Sequence, residues 1–132
     1  ATMTPCIAIF DIGKTNKKFL LFNLGLELIY EEQSNFEEVK DDEGENCEDL
    51  RAVTDWLLKT WERIQLNMDF SIKALNFTTY GGSFVHLDAN NRPVNPLYNY
   101  LKKFPDDIDR QFYNKYGPKD VWSTQTASPA LG

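Results

Sequence analysis

A polar stretch at residues 11–18 holds the residue types that bind the phosphates of a nucleotide. Gly13 lets the backbone approach a ligand closely, and consecutive amide groups in such a turn can form an anion-binding nest. Thr15 and Asn16 add side-chain donors, and three lysines add positive charge: Lys14, Lys17 and Lys18. Asp11 follows an apolar run, where it is placed to hold a hydrated Mg²⁺ that bridges phosphates. The pattern predicts a Mg-nucleotide site; a solvent-facing hairpin turn, which favours the same residue types, is the alternative.

Short apolar runs on both sides of this stretch predict the strands that position it. Residues 6–10 and 19–22 are rich in β-forming residues, and the gap between them is too short for a crossover helix. The two strands therefore form an antiparallel hairpin. Residues 23–25 supply a further turn, and residues 26–31 return as a third strand. Three consecutive strands distinguish this chain from a Rossmann opening, in which the first strand leads into a helix.

The clearest predicted helix follows a polar, acidic loop at residues 34–46. Its apolar residues recur at spacings of three and four, which places them on one face: Leu50, Val53, Leu57, Trp61, Ile64 and Met68. Asn46 is the predicted N-cap. Glu48 and Asp49 fall in the first turn, where carboxylates favour the helix dipole, and Arg63 lies near the other end.

The remaining elements complete an order of β-β-β-α-β-β-α. Residues 72–77 and 84–88 predict the fourth and fifth strands, and a short helix runs from Pro105 through Tyr116 before Gly117 and Pro118 end it. No terminating element is predicted in the tail, residues 122–132. The fold class is α/β, a mixed sheet with its main helix on one face, and we expect the chain to be truncated.

Two motifs in this order resemble those of the FGGY carbohydrate kinases, which belong to the actin/hexokinase/Hsp70 superfamily. Residues 10–19 resemble the first phosphate motif of that family, Asp-x-Gly-x-Thr-Asn-x-Lys between two strands. Residues 74–88 resemble the strand-turn-strand that lines the sugar pocket. Within this stretch, the segment Thr79-Tyr80-Gly81 is most similar to the corresponding segment of the rhamnulokinase/fuculokinase-like subgroup. The resemblance implies a ribonuclease H-like (actin-like ATPase) domain, with residues 1–132 as the incomplete N-terminal part of the first kinase domain.

The resemblance also implies an activity, the transfer of the γ-phosphoryl group of ATP to a sugar hydroxyl. Asp11 would act on Mg²⁺, mainly through water. The motif and the positive charge of the loop imply that five residues contact the ATP phosphates: Gly13, Lys14, Thr15, Asn16 and Lys18. The sugar-facing candidates are Tyr80, Gly81, Gly82, Ser83, Tyr98, Asn99 and Tyr100. The alternative for the tyrosines is packing with their hydroxyls at the surface.

Departures from the family pattern concern the sugar and the catalytic base. Gly81 and Gly82 stand where glycerol-kinase-like members have an Arg-Glu pair, and Ser83 stands where rhamnulokinase-like members have an acidic residue. These departures favour a deoxyketose-type sugar over a polyol. The catalytic aspartate of the family lies further along the chain, so no residue here takes that role. Asp88, Asp106 and His86 are explained by a turn, a helix start and a strand, and we expect residues 1–132 alone to be inactive.

Composition limits the partners. The net charge of −6 argues against a nucleic-acid partner, because phosphate contacts need clustered Lys and Arg. Eleven carboxylates fall between Glu27 and Asp49 against one base, Lys40, and such blocks usually form solvated surface. No run approaches the roughly 20 apolar residues of a membrane span. The isolated thiols of Cys6 and Cys47 suggest a cytoplasmic location.

Three functions remain open. The first is a fragment of a sugar kinase that binds ATP, Mg²⁺ and a small-molecule sugar, with a homodimer of the full-length protein as a further expectation. The second is a sugar-sensing regulatory protein on the same scaffold. The third is a non-catalytic binding domain whose polar loop is only a turn.

Overall fold

The computed structural model describes residues 2–126. In chain order its elements are β1 (Thr4–Ile12), β2 (Lys17–Asn23), β3 (Leu28–Ser34), β4 (Val39–Lys40), β5 (Asn46–Cys47), α1 (Leu50–Gln65), β6 (Phe70–Thr79), α2 (Asp106–Tyr116) and α3 (Lys119–Thr126). The main sheet has the order β3-β2-β1-β6, and β4 and β5 form a separate small hairpin. The three predicted opening strands and the fourth are therefore confirmed, as strands β1, β2, β3 and β6.

The sheet is mixed because its central strand β1 has a different kind of neighbour on each side. It runs antiparallel to β2, with Asp11 opposite Lys18, and parallel to β6, with Asp11 beside Thr78. The carboxyl ends of β1 and β6 therefore meet at one edge of the sheet. The predicted hairpin is confirmed, and the parallel strand arrives after a crossover through α1.

The core lies between α1 and one face of the sheet. Alternation along β1 and β2 places one set of apolar side chains on that face, and the fully buried members of the core are Cys6, Ala8, Phe10, Phe19, Leu21 and Ile64. The Phe10 ring lies at the centre, with its centroid 4.8 Å from that of Phe19 and 5.5 Å from that of Trp56. The residues next to Phe10 and Phe19 in sequence consequently point to the opposite face.

The main helix begins later than the sequence predicts. Asp49 is the N-cap, and its carboxylate accepts a hydrogen bond from the Ala52 N–H at 2.9 Å. Asn46 lies in β5 instead, so the predicted cap is wrong, and Glu48 and Asp49 precede the first turn rather than occupying it. Met68 lies beyond the end of α1 and is 76% exposed, so it is not part of the core stripe.

Arg63 ties the last turn of α1 to the sheet. Its guanidinium donates to both carboxylate oxygens of Glu32 on β3, at 2.6 and 2.7 Å, and Tyr30 and Thr60 donate to the same carboxylate. Burial alone would raise the pKa of Glu32, but the hydrogen bonds from Arg63 and Tyr30 lower it below its usual value. This acidic residue is thus a structural contact and not only solvated surface.

The predicted fifth strand does not form. At residues 84–88 the structure has a single bridge between Leu87 and Pro93, outside any strand, and a turn closed by Asp88. The Asp88 carboxylate accepts hydrogen bonds from the backbone N–H groups of Asn90 and Arg92, at 2.8 and 2.9 Å. An aspartate that bonds to its own backbone in this way favours a turn over a sheet ladder.

The C-terminal part has one more helix than the sequence predicts. The short helix α2 and its end at Gly117 are confirmed. The tail, predicted to have no terminating element, forms α3 as far as Thr126, and its remaining residues, 127–132, lie outside the described part of the chain. Among residues 2–126, no helix has both the length and the apolar character needed to cross a membrane.

Candidate functional site

The turn between β1 and β2 contains the residues predicted to bind phosphate, and residues 11–16 are called the phosphate loop below. The Gly13 N–H donates to the Asn16 carbonyl at 3.0 Å, which closes the turn. A Cβ atom at position 13 would lie 2.6 Å from that carbonyl oxygen, closer than real contacts allow. Glycine is therefore required here by the turn itself.

Lys17 holds the phosphate loop from inside. Its side chain is 2% exposed, and its ammonium donates to the carbonyls of Gly13 and Lys14, at 3.0 and 3.1 Å. The sequence suggested that Lys17 brings charge to phosphate, and that interpretation is wrong. Lys17 lies on the same face of β2 as Phe19, so its ammonium is used within the fold.

Asp11 and Lys18 point to the sheet face opposite this buried lysine. Asp11 and Lys18 alternate with core residues, so they lie together on the sheet face opposite α1, in direct register. Lys18 pairs with Glu31 on the neighbouring strand at 3.5 Å. Within the part of the chain that the structure describes, neither the Asp11 carboxylate nor the Lys14 ammonium has a side-chain partner. Both are free to contact a ligand.

The tip of the phosphate loop is open to solvent. The side chains of Thr15 and Asn16 are exposed, and the Asn16 amide oxygen accepts a hydrogen bond from Gln33 at 3.0 Å. The predicted phosphate contacts are thus brought together in one turn, with Lys18 alone standing on the strand that follows.

The predicted sugar-facing residues begin directly beside the phosphate loop. We call residues 80–105 the pocket segment. The Tyr80 N–H donates to the carbonyl of Ile12 at 3.0 Å, extending the pairing of Thr79 with Ile12 beyond the end of β6. Ligands of open α/β sheets bind outside the carboxyl ends of the strands, and here two such ends lie side by side.

Glu48 links the two halves of this site, and sequence analysis missed it. Its side chain is 5% exposed, accepts a hydrogen bond from the Tyr80 hydroxyl at 3.0 Å and lies 4.0 Å from the Lys17 ammonium. Its backbone N–H donates to the Leu97 carbonyl at 2.7 Å. Burial, together with this carboxylate, raises the pKa of Tyr80 to about 12. A carboxylate in the first turn of the predicted helix was explained by the helix dipole, so the sequence offered no separate signal for it.

Two more carboxylates hold the middle of the pocket segment. The Tyr98 hydroxyl donates a short hydrogen bond to Asp41, and the Asn99 amide donates to Glu38 at 2.8 Å. The bond to Asp41 is the main cause that raises the pKa of Tyr98 to about 12 and lowers that of Asp41. The acidic stretch, predicted to be solvated surface, therefore supplies three carboxylates that anchor the pocket segment: the buried Glu48, the half-buried Asp41 and the exposed Glu38.

A cavity of about 540 Å³ lies along the pocket segment, and four of the predicted sugar contacts line it: Gly82, Ser83, Tyr98 and Asn99. Tyr80, Gly81 and Tyr100 do not. The Tyr100 ring lies edge-on to Tyr80, with the centroids 6.1 Å apart, and its Cβ packs on Gly82. Gly82 has a φ of +73°, so glycine suits this position.

The comparisons with known proteins bear on this arrangement. Neither a protein-family model nor a curated protein sequence matches the chain. Among solved structures, a carbohydrate kinase from Novosphingobium aromaticivorans matches with a TM-score of 0.75 at 18% identity, over 86% of this chain and 23% of that one. The fold is that of carbohydrate kinases.

Two further structures share this carbohydrate-kinase fold. Gluconate kinase from Lactobacillus acidophilus matches with a TM-score of 0.71 at 15% identity, over 90% of this chain and 24% of that one. Plasmodium falciparum glycerol kinase with ADP matches with a TM-score of 0.72 at 16% identity, over 93% of this chain and 26% of that one. The chain spans about a quarter of the length of the structures it matches. The predicted fold class is confirmed, and the rhamnulokinase/fuculokinase subgroup stays a prediction.

Proposed function

We propose that this chain is the phosphate-binding and sugar-facing part of an ATP-dependent carbohydrate kinase. The observation that carries the proposal is the juxtaposition of a glycine-closed turn, with Asp11 and Lys14 unpaired among the described residues, and a cavity-lining segment that starts at the adjacent strand end. Kinases need this pairing because phosphoryl transfer depends chiefly on positioning and charge neutralisation.

The phosphate loop fits Mg-ATP by its donor set. Within residues 2–126 no group of three or more acidic, His or Cys side chains could enclose a metal ion. Mg²⁺ usually keeps several of its waters and takes one or two carboxylates together with phosphate oxygens, a role that the free Asp11 suits. Bound Mg-ATP would supply the phosphoryl group to be transferred.

The other residues of the loop would hold the phosphates. The amide groups of Lys14 and Thr15, the hydroxyl of Thr15 and the amide of Asn16 are donors at the open tip of the turn. Lys18 stands on the same sheet face as Asp11, and its exposed pair with Glu31 costs little to exchange for a phosphate contact. Lys17 is excluded from this role by its carbonyl contacts.

The sugar is not decided by the fold, because one neighbour is named a gluconate kinase and another a glycerol kinase. We further propose that the chain alone does not phosphorylate a sugar. Asp88 is engaged in its turn, and Asp106 stands at the start of α2. The cytoplasm remains the proposed location, because Cys6 and Cys47 are buried free thiols, as a reducing compartment allows.

Calorimetric titration with Mg-ATP tests the proposal. We expect Asp11→Asn to weaken Mg-ATP binding about tenfold, which corresponds to about 1.4 kcal/mol. In EDTA the same substitution should not weaken ATP binding, because Asp11 acts through the metal and otherwise repels phosphate. Asp55→Asn, an exposed aspartate on α1, is the matched control and should bind as the unchanged protein does. Absence of Mg-ATP binding, or equal losses in both variants, would contradict the proposal.

A further inference from the structure

The cavity along the pocket segment has an unusual charge for this molecule. The chain carries a net charge of −6, yet none of the described residues that line the cavity carries a carboxylate. The lining instead includes Lys102, Lys103 and His86, the single histidine of the chain. Asp106 and Asp107, the nearest acidic residues on α2, are not part of it.

Lys102 and Lys103 differ in the groups that contact their ammonium ions. The Lys102 ammonium lies 3.3 Å from the centroid of the Tyr98 ring, and the carboxylate that it approaches, Asp41, is already bonded to the Tyr98 hydroxyl. Lys103 has no ion-pair or hydrogen-bond partner within the described residues. Both lysines also line the neighbouring groove of about 600 Å³ that contains Glu38 and Glu45, but Lys103 forms an ion pair with neither carboxylate. An ammonium without an ion-pair partner at the wall of a cavity attracts an anion into it.

Neutral polar groups accompany this charge. The Ser83 hydroxyl is buried close to Tyr80, yet within the described part of the chain no group bonds to it in good hydrogen-bond geometry. Buried polar atoms in native proteins are nearly always bonded to protein, water or ligand. Asn95 and the rings of Phe84 and Phe104 complete the wall. Apolar walls with a few convergent polar groups are typical of small-molecule sites, and the volume of about 540 Å³ falls within their range.

We propose that this cavity takes an anionic sugar, in place of the neutral deoxyketose that the motif departures favour. That the anion is a sugar rests on the proposed function. The anionic group, a carboxylate or a phosphate, would pair with Lys103 and Lys102, and the sugar hydroxyls would bond to Ser83 and Asn95. A carboxylate in the lining would repel such a ligand, and residues 2–126 contribute none to it.

Three probes with the same carbon skeleton distinguish the candidates: gluconate, glucitol 6-phosphate and neutral glucitol. Each is titrated into the full chain without nucleotide or Mg²⁺, and the amide resonances of the pocket segment are followed by NMR. We expect at least one anionic probe to bind tenfold or more tightly than glucitol, and its affinity to fall as ionic strength rises. The preferred anion identifies which group the cavity recognises.

Lysine variants localise the effect. Lys103→Gln should remove most of the preference for the anionic probe while leaving glucitol binding unchanged, and Lys102→Gln should reduce it further. Lys59→Gln, an exposed lysine on α1, is the matched control and should change neither. Equal affinities for the three probes, no binding of any probe, or an anion preference that survives both cavity variants would overturn the proposal. The titration lacks nucleotide, so its outcome is independent of the Mg-ATP test of the proposed function.

Discussion

The phosphate loop and the pocket segment lie side by side at the carboxyl ends of β1 and β6, but different contacts hold them. The phosphate loop is held by contacts between near neighbours, the backbone bond from Gly13 to Asn16 and the Lys17 bonds to two loop carbonyls, and it sits between two strands in continuous register. The pocket segment has no strand of its own among the described residues. It depends on three carboxylates from residues 38–48, which bind side chains 32 to 61 positions away in the sequence.

The difference shows what each region can tolerate. The phosphate loop is defined by local backbone geometry, so changes there should act through the turn itself. The pocket segment is defined by polar contacts between distant residues, so it should respond to the loss of a single acceptor. Glu48 belongs to both regions, because it contacts Tyr80 and lies beside Lys17. Substitution of Glu48 should therefore have the largest effect on the free energy of unfolding.

Glu48→Ala should lower the free energy of unfolding by about 3 kcal/mol, measured by urea denaturation. The substitution leaves the buried Lys17 ammonium without a carboxylate and the Tyr80 hydroxyl without an acceptor. Glu43→Ala, on the exposed part of the same acidic stretch, should change stability by less than about 0.5 kcal/mol. A loss below about 1 kcal/mol for Glu48→Ala would mean that the two regions are not energetically linked through this residue.

Gly13→Ala should cost roughly 2 kcal/mol and should also abolish phosphate binding, because the new Cβ would collide with the Asn16 carbonyl and open the turn. Gly81→Ala is the control at the start of the pocket segment. A Cβ there meets no atom within 4 Å, so we expect a change within about 0.5 kcal/mol. Thermal denaturation of both variants measures the difference, and equal stabilities would refute the tight-turn description of the phosphate loop.

A comparison of Gly82→Ala, in the pocket segment, with Gly44→Ala, outside it, separates the cost of backbone strain from the cost of lost packing. Both glycines have positive φ angles, +73° and +83°, so alanine should cost about 1 kcal/mol at either position. A Cβ at position 82 would also lie 3.0 Å from the Tyr100 Cβ, whereas a Cβ at position 44 would have no described atom within 4 Å. Gly82→Ala should therefore be the more destabilising variant. If urea denaturation finds the two costs equal, Tyr100 does not pack on the pocket segment as described.

The smallest expected effect is a shift in the alkaline titration of Tyr80 and Tyr98. With pKa values raised to about 12, Tyr80 and Tyr98 should ionise well above the ordinary value of 10, as followed by phenolate absorbance. A raised pKa in the folded state means that the stability these groups contribute is complete below pH 10 and is lost as pH rises towards 12.

Phenylalanine variants assign this step. Tyr98→Phe and Tyr80→Phe should each remove one late-ionising group, although Tyr30, whose pKa Glu32 also raises, remains in both. If Tyr98→Phe instead removes a group that ionises near pH 10, the bond to Asp41 does not persist in solution. The same result for Tyr80→Phe would mean that the Tyr80 hydroxyl is not buried beside Glu48.

The same contrast explains what the sequence could predict. Alternation along residues 6–10 and 19–22 and the three-and-four spacing of α1 depend on neighbours in the chain, so the hairpin, the first three strands and the main helix were recognisable. The partners of Lys17, Asp41 and Glu48 could not be seen, because each contact joins residues that only the folded chain brings together. Asp88 misled the strand prediction because its carboxylate bonds to the local backbone instead.

We propose that Gly13, Lys14, Thr15 and Asn16 bind the nucleotide phosphates. The most direct test follows the backbone amide resonances of the whole chain by NMR while Mg-ATP is added. The structure predicts that the largest shifts fall on these four residues and that Asp11→Asn needs about tenfold more Mg-ATP to produce them. Shifts confined to the pocket segment or to α1, with these four amides unchanged at saturating Mg-ATP, would contradict it.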